Sequence, residues 1–381
     1  MPGKKLLSAV LCCLLLLSLL GCGGLPRAEG EGAGWEEAGS SQLELQYAQQ
    51  FSVDCFPDGS ALLTIAGTDR FLIVPEGCEP PDGLDSDVVI LRQPIRNIYL
   101  ASSSAADLFL QLDALDDLRL TSTTAANWRL PEMQEAVETG QILYTGKYSA
   151  PDFEQILSEG CGLVIENTMI YRSPEIKEKL EDLGLPVLVE HSSYESHPLG
   201  RVEWIKVYGL LVGKSDEADR FFDRQVQTLS ALNELEETGQ TVAFFHINSA
   251  GAAVVRKPGD YVSKMIELAG GQYVFSALDS DDNALSTVNM QMETFYAEAK
   301  DADILIYNST IDGEIDTLEQ LLEKSSLLAD FKAVQNGNVW CTEQNMFQQT
   351  SAAAGMISDI NAILTGEADA LDQLTFLHRL T

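Results

Sequence analysis

The sequence predicts an α/β fold in which a long rigid helix joins two lobes and a small β-meander precedes them. Short apolar runs alternate with helical patterns over residues 93–196, and the same alternation returns over residues 239–381. Residues 197–238 contain no convincing strand. Because such alternation is typical of parallel strands with crossover helices, we expect one α/β lobe on each side of a helical connection.

The predicted strands of the two lobes are short and apolar. They are NIYLA, LRLTS, GLVIEN and PVLVE in the first lobe, and TVAFFHI, ADILIYN and NVWCT in the second. Several of the helical patterns between them open on Pro or Ser, as first turns of helices do. The segment YVSKMIELAGG puts Val262, Met265 and Ile266 on one helix face and stops at Gly270.

The connection at 197–238 is helical by composition and period, with a soft break near Gly213. We expect it to act as a stiff strut. The extension at 42–92 reads as strand, turn, strand, turn, strand up to Val74, followed by a linker or surface loop. Cys55 and Cys78 flank its alternating segment and could pair in an oxidising compartment.

The amino terminus predicts export. Residues 1–21 carry two lysines followed by an apolar run of signal-peptide length, and the run ends at Leu-Leu-Gly-Cys22, which resembles the lipobox of bacterial lipoproteins. An ordinary cleaved signal or an uncleaved anchor is the alternative. Residues 22–41 predict a flexible stalk. We therefore expect an extracytoplasmic protein, anchored to the cell membrane by lipid at Cys22.

The charge balance and the missing motifs exclude several function classes. A net charge of −34 without a basic cluster argues against a nucleic-acid partner. The sequence has no P-loop, no GxGxxG and no GxSxG elbow, so we predict neither a bound cofactor nor an enzyme.

Two stretches carry a resemblance to a known family. SSYESHPLGRVEWIK and IELAGGQYVF, together with the lipobox and the paired lobes, resemble the helical-backbone class of substrate-binding proteins of ABC importers, over roughly residues 93–380. That class handles ferric siderophores, haem and cobalamin. The resemblance implies two Rossmann-like lobes, a small-molecule ligand, and an ABC permease with its ATPase as partners.

Ligands of open α/β sheets bind outside the carboxyl ends of the strands, so the loops that follow the strands predict the site. Adjacent cations there would hold an anionic chelate, and aromatic rings would supply stacking walls. A partner for nearby carboxylates is the alternative for the cations, and a core position is the alternative for the rings. The candidate residues are Ser102, Ser103, Trp128, Lys147, Tyr148, Asn167, Arg256, Lys257, Asn308 and Phe347.

The resemblance also implies that a surface glutamate of each lobe docks on the permease. The matching positions are Glu154 and Glu293, although a carboxylate at a helix start is also stabilised by the helix dipole. A free metal ion is a rival ligand, because His191, Glu195 and His197 form a local cluster with plausible ligand chemistry. A surface receptor that senses a ligand without transporting it is a further alternative.

Overall fold

The computed structural model describes residues 39–232, 236–278, 287–311, 313–366, 371 and 373–381. Residues 40–80 and 85–381 form one compact unit, to which everything below refers. The predicted signal peptide, Cys22 and nearly all of the predicted stalk lie outside the described residues. Within the described ranges, no helix is long and apolar enough to cross a membrane.

The extension is a five-stranded sheet in the order β1-β2-β3-β4-β5. The predicted meander is confirmed as the antiparallel strands β2 to β4, and β5, which the sequence left in a linker, pairs with β4 in parallel. Cys55 and Cys78 are free thiols, so the disulfide that they could have formed is absent. The strands are β1 (Ser41–Gln42), β2 (Phe51–Cys55), β3 (Ala61–Ile65), β4 (Asp69–Val74) and β5 (Val88–Arg92).

The first lobe has a wholly parallel sheet in the order β12-β11-β6-β7-β8, and a small hairpin of β9 and β10 lies beside it. All four predicted strands of this lobe are confirmed. Its strands are β6 (Ile98–Leu100), β7 (Leu118–Thr121), β8 (Leu143–Tyr144), β9 (Gly146–Lys147), β10 (Ala150–Pro151), β11 (Val164–Asn167) and β12 (Val187–Glu190). Its helices are α1 (Ala106–Gln111), α2 (Pro131–Thr139), α3 (Phe153–Ser158) and α4 (Pro174–Asp182).

The connection is helical, as predicted, but it is divided into three helices. These are α5 (Pro198–Glu203), α6 (Ile205–Val212) and α7 (Ser215–Leu232). Gly213 ends α6 in the left-handed conformation, with φ of 75°. A Cβ at Gly209 would lie only 2.6 Å from Cβ of Ala218, so glycine permits the close packing of α6 on α7. The stiffness of the connection therefore comes from packed helices rather than from one straight helix.

The second lobe has a mixed sheet in the order β16-β14-β13-β17-β18-β19, with β15 paired to β13. The predicted strands β13, β17 and β18 are parallel, whereas β14, β16 and β19 run antiparallel to their neighbours. Its strands are β13 (Thr241–Ile247), β14 (Ala253–Arg256), β15 (Gln272–Tyr273), β16 (Thr287–Met290), β17 (Ile304–Tyr307), β18 (Val339–Thr342) and β19 (Leu377–Arg379). Its helices are α8 (Tyr261–Leu268), α9 (Met292–Ala299), α10 (Leu318–Lys324), α11 (Lys332–Asn336) and α12 (Ala353–Thr365).

Candidate functional site

The loops that follow the strands of the two lobes meet each other. The backbone N–H of Arg129, beyond β7, donates to Oε1 of Gln348, beyond β18, at 2.7 Å. The Gln348 amide in turn donates to the Asn127 carbonyl at 2.9 Å, and the Arg129 guanidinium contacts Gln344. The carboxyl edges of the two sheets therefore face each other, which is the arrangement that creates a cleft for a ligand.

The two lobes also touch beside the connecting helices. Oγ1 of Thr350 donates to the Ser104 carbonyl at 2.8 Å, and the N–H of Ser351 donates to the Asp107 carboxylate at 2.6 Å. A cavity bordered by Arg201, Met346 and other side chains of this junction measures about 10 Å³. Ligand sites for small molecules usually measure about 300–1,000 Å³, so the lobes must separate to admit a bulky ligand here.

Two larger cavities lie at the opposite edges of the sheets. One, of about 410 Å³, is lined by Asn97, Gly162 and Pro186. These residues lie one or two positions before strands of the first lobe begin. Another of about 410 Å³ is lined by Gly271, Gln272 and Tyr273 of the second lobe. Neither opens at the carboxyl ends of the parallel strands, so neither coincides with the predicted cleft.

The polar residues predicted in the first lobe share one edge but mostly bond to the protein itself. Oγ of Ser102 is buried and donates to Glu190 at 2.9 Å, while Ser103 begins a 3₁₀ turn. The side chain of Asn167 accepts from the N–H of Met169 and donates to the Ala101 carbonyl. These side chains position the loops rather than present free donors to a ligand.

Trp128 is a core residue, and its prediction as a stacking wall needs correction. Its side chain is 1% exposed and packs in the main hydrophobic core, because the chain turns inward there before α2 begins. Lys147 and Tyr148 lie on the hairpin of β9 and β10. Lys147 is exposed, whereas Tyr148 packs against the smaller hydrophobic cluster of the first lobe.

The predicted cations of the second lobe lie at the end of β14 and just after it. Because β14 runs antiparallel to β13, with Val255 opposite Phe245, Arg256 continues toward the amino-terminal half of β13. Its guanidinium pairs with Asp260 at 3.4 Å and lies 5.3 Å from the ring centroid of Phe347. Burial opposes the charge, but Asp260 together with Tyr261 and Tyr273 outweighs it, so the pKa of Arg256 is raised. The structure therefore supports the alternative interpretation of Arg256, in which it pairs with a nearby carboxylate.

The other predicted residues of the second lobe are only partly accessible. Asn308 is buried, and its side-chain oxygen accepts from Oγ1 of Thr310 at 2.6 Å. Lys257 is half-buried, with its carbonyl bound by Ser263. Phe347 is half-buried in the loop that contacts the first lobe. The structure thus brings Phe347 and Arg256 together.

His191, Glu195 and His197, the weak candidates for binding a free metal ion, all bond to neighbouring groups of the protein. The carboxylate of Glu195 is buried and accepts from the backbone N–H groups of Gln49 and Gln50 and from the indole of Trp204. Nδ1 of His197 accepts from the N–H of Leu199 and so caps α5. His191 bonds to Tyr171 instead.

The attachment of the extension is a site that the sequence did not reveal. Glu203 is fully buried on α5 and accepts from the successive N–H groups of residues 46–48 at 2.8–3.2 Å. Lys206 neutralises it at 3.0 Å and also reaches the Glu44 carbonyl. Together with Glu195, this carboxylate fastens the chain ahead of β2 to the connecting helices. An acidic residue on a helix face offers no sequence signal for such a long-range contact.

An aromatic cluster at the carboxyl ends of β11 and β12 was also missed. The phenol of Tyr171 is 2.9 Å from Nε2 of His191, and the His191 ring stacks on Tyr194 at 5.2 Å. Tyr171 is 50% exposed. Burial, with the charge of Asp69 beside it, raises the pKa of Tyr171 to about 12, so the phenol is neutral at neutral pH.

The predicted docking glutamates are both exposed in the first turn of a helix. Glu154 lies in α3 and Glu293 in α9. Neither makes an ion pair that ties it to its own lobe among the contacts of the described residues. This placement is compatible with docking, and it equally fits stabilisation by the helix dipole.

Two parallel-stranded lobes with facing carboxyl edges, joined through packed helices, define a two-lobed solute-binding architecture. A model of the periplasmic binding protein family matches residues 98–345, which is most of the chain. The chain therefore belongs to the periplasmic binding protein family.

Two lipoproteins of Methanocaldococcus jannaschii are similar in sequence. One is 27% identical over 244 residues, covering 63% of this chain and 57% of the relative. The other is 25% identical over 316 residues, covering 80% of this chain and 78% of the relative. The chain thus spans little more than half the length of the first of these proteins.

Solved structures share the fold at low identity. A periplasmic binding protein from Veillonella parvula is 18% identical with a TM-score of 0.60, covering 76% of this chain and 97% of its own. A periplasmic haem-binding protein of Vibrio cholerae is 18% identical with a TM-score of 0.56, covering 69% and 97%. An Fe³⁺-hydroxamate transport protein from Saccharomonospora viridis is 18% identical with a TM-score of 0.55, covering 72% and 93%.

Proposed function

We propose that this protein is the solute-binding lipoprotein of an ABC importer, and that it captures a ferric siderophore or a similar iron chelate between its lobes for delivery to a permease. One observation carries the proposal: loops beyond β7 and β18 meet across the two lobes through Arg129, Gln344 and Gln348. The family membership supports a binding role rather than catalysis. Neighbours in fold whose names refer to haem or Fe³⁺-hydroxamate support the ligand class.

Arg129 is the cation that suits an anionic chelate best. Its side chain is exposed at the edge of the cleft, and within the described residues its guanidinium donates to neutral acceptors of residues 126 and 344. When the lobes separate, the bond to Gln344 is lost, and the guanidinium can bind a carboxylate or hydroxamate oxygen. The packed helices of the connection limit how far the lobes rotate, so the two lobes should close only modestly when the ligand binds.

Tryptophan fluorescence of the chain from residue 39 onward tests the ligand class. We would titrate it with ferric siderophores, haem, cobalamin, and free ferric and divalent ions. Saturable quenching by one ferric chelate, without quenching by the free ions, supports the proposal. Saturation by a free ion alone, or by none of these ligands, would contradict it.

Arg129→Gln tests the role of the cation. We expect the affinity for the chelate to fall about tenfold, in keeping with the loss of one charge-assisted hydrogen bond. Arg220→Gln, which removes an exposed cation of α7, is the matched control and should bind normally. Equal affinities of the two variants would show that Arg129 does not contact the ligand.

Transport can be separated from binding with the predicted docking residues. Glu154→Gln and Glu293→Gln should leave ligand affinity unchanged and together abolish uptake in cells. Glu298→Gln, an exposed change farther along α9, is the control. Normal uptake by the double variant would favour a sensing receptor over an importer component. Cys22→Ser should release the protein from the membrane fraction if lipid at Cys22 is its anchor.

Haem is a second candidate ligand, and the cluster of Tyr171 and His191 favours it. A half-exposed phenol beside an imidazole can ligate ferric iron at the carboxyl edge of the first lobe. Tyr171→Phe should then shift the absorption band of bound haem, while leaving siderophore binding unchanged. An absorption band of bound haem that does not shift in Tyr171→Phe would show that Tyr171 is not an iron ligand.

A further inference from the structure

A group of metal-ligand side chains in the second lobe lies apart from the residues discussed so far. Glu314, Glu343 and His378 each offer one ligand atom, and these three atoms lie within 4.8 Å of one another. The sequence did not bring them together, because His378 is on β19, a strand that was not predicted. The group combines one imidazole with two carboxylates, so it is chemically unlike a patch of acidic residues.

The imidazole is held as metal-binding histidines usually are. Nε2 of His378 is 2.8 Å from the Ile315 carbonyl, so this nitrogen donates its proton there. Nδ1 then points to Oε1 of Glu343 at 2.8 Å and to Oε1 of Glu314 at 3.9 Å. Because the Ile315 carbonyl binds Nε2, Nδ1 is directed at the two carboxylates. A cation could replace the proton that Nδ1 shares with them.

The distances and ligand types suit a first-row transition ion. Ligand atoms of a tetrahedral zinc ion lie about 3.3 Å apart, so closing the widest separation, up to 4.8 Å, on an ion requires a movement of about 1.5 Å. Glu314 is the most exposed of the three and belongs to the loop after β17. Imidazole and carboxylate together accept Zn²⁺ and Mn²⁺, with water in the remaining positions.

We propose that Glu314, Glu343 and His378 form a binding site for one divalent transition-metal ion, distinct from the ligand cleft. The ion would join three elements: the loop after β17, the start of the loop after β18, and β19. Glu343 begins the segment that carries Gln344 and Gln348 to the first lobe. Metal at this site would therefore hold that loop in position for contact across the cleft.

The experiment uses the full chain in non-ionic detergent, freed of metal with a chelator. Mn²⁺ is titrated while the electron paramagnetic resonance signal of the free ion is recorded, because thiols bind Mn²⁺ poorly and Cys55 and Cys78 will not interfere. We expect one saturable Mn²⁺ per chain, and we expect one equivalent of Zn²⁺ to displace it. A chain that binds no Mn²⁺, or releases none to Zn²⁺, would overturn the proposal.

Glu314→Gln separates a metal site from a simple ion pair. The variant retains the bonds of His378 to Glu343 and Ile315, so it should fold and melt like the parent without metal. We expect its Mn²⁺ affinity to fall at least tenfold, and the rise in melting temperature on adding Zn²⁺ to disappear. Glu319→Gln, an exposed change on the nearby α10, is the matched control and should behave like the parent.

His378→Gln provides an independent check. It removes the imidazole ligand but can still donate to the Ile315 carbonyl, and it too should bind Mn²⁺ at least tenfold more weakly. Unchanged affinity in both Glu314→Gln and His378→Gln would place the ion elsewhere and refute the site. Titration of the chelate panel is a separate measurement, so failure of this proposal would leave the proposed function of the cleft unaffected.

Discussion

The extension's attachment and the sheet of the first lobe both bury glutamates, but they treat the carboxylates in opposite ways. At the attachment, Glu203 accepts from three backbone N–H groups and is neutralised by Lys206. In the sheet, Glu166 on β11 is fully buried, and neither of its oxygens has a well-formed hydrogen bond. Burial alone therefore does not determine whether a carboxylate stabilises the fold.

The two environments differ in how many hydrogen-bond donors oppose the effect of burial. Burial raises the pKa of Glu166 to about 8, and the nearby Asn167 N–H offsets this only in part. Burial also raises the pKa of Glu195, but the Trp204 indole and the N–H groups of Gln49 and Gln50 oppose that shift. Hydrogen-bond donors let a buried carboxylate hold its charge and fasten two parts of the chain, whereas without donors the group takes up a proton.

Glu203→Gln should break the attachment and have the largest effect. The change keeps the volume but leaves the buried Lys206 with only the more distant carboxylate of Asp219, at 4.0 Å, which we expect to cost about 3 kcal/mol of unfolding free energy. Urea denaturation at pH 7 measures it. Adding Lys206→Met to the same chain should recover much of the loss, and a double variant as unstable as the single one would contradict this explanation.

Glu195→Gln should cost less, about 2 kcal/mol, because no buried cation is left behind. If the amide oxygen takes the place of Oε1, it can still accept from Gln50 and Trp204, but the NH₂ group then faces the N–H of Gln49. The same denaturation experiment applies, with Glu175→Gln on the exposed start of α4 as the control. A loss no larger than that of the control would mean that Glu195 does not fasten the extension.

Glu166→Leu should stabilise the protein, by about 1 kcal/mol at pH 6, because it removes an unsatisfied polar group from the small hydrophobic cluster. The parent's folded-state pKa of about 8 exceeds the unfolded value of 4.5. Its stability should therefore decline as the pH rises from about 4.5 through about 8. The difference in unfolding free energy between Glu166→Leu and the parent should increase over that interval. A difference that is constant from pH 6 to pH 9 would disprove the raised pKa.

His197→Asn should have the smallest effect at neutral pH, below about 1 kcal/mol, since asparagine also caps helices well. Burial, with Lys264 nearby, lowers the pKa of His197 to about 4 from 6.5. The unfolded chain binds the proton more readily between these values, so the parent loses stability as the pH falls from 6.5 to about 4. The asparagine variant should lose less in melting experiments over this range, and parallel pH profiles would contradict this.

Much of the fold follows from local sequence signals. The apolar runs and helix starts predicted seven of the parallel strands and the main helices, because hydrophobic period and capping residues act over a few neighbours. Strands β5, β8, β14, β16 and β19 are among those that were missed. Each forms by pairing with a strand already present, and such pairing depends on partners that are distant in sequence.

The candidate site was predicted less well, for a related reason. Strand ends identified the loops that meet, but the residues in contact are Arg129 and Gln348, each next to a predicted aromatic ring. Arg256 was predicted to bind the ligand, but it ends an antiparallel strand, and its guanidinium pairs with Asp260 of its own lobe. The direction of a strand depends on its partner strand, and the residues of the strand itself do not indicate it.

The sequence by itself determined the class of the protein: the alternating pattern, the helical connection, the lipobox-like start and the strand-end loops are all local features. Only the tertiary structure decided what individual polar side chains do. It assigned Glu195 to the attachment of the extension and His197 to the cap of α5, and it left Glu166 without a well-formed hydrogen bond. It also gathered Glu314, Glu343 and His378 from three separate segments. The physical reason is that the charge and bonding of a polar group depend on which donors surround it, and distant parts of the chain supply those donors.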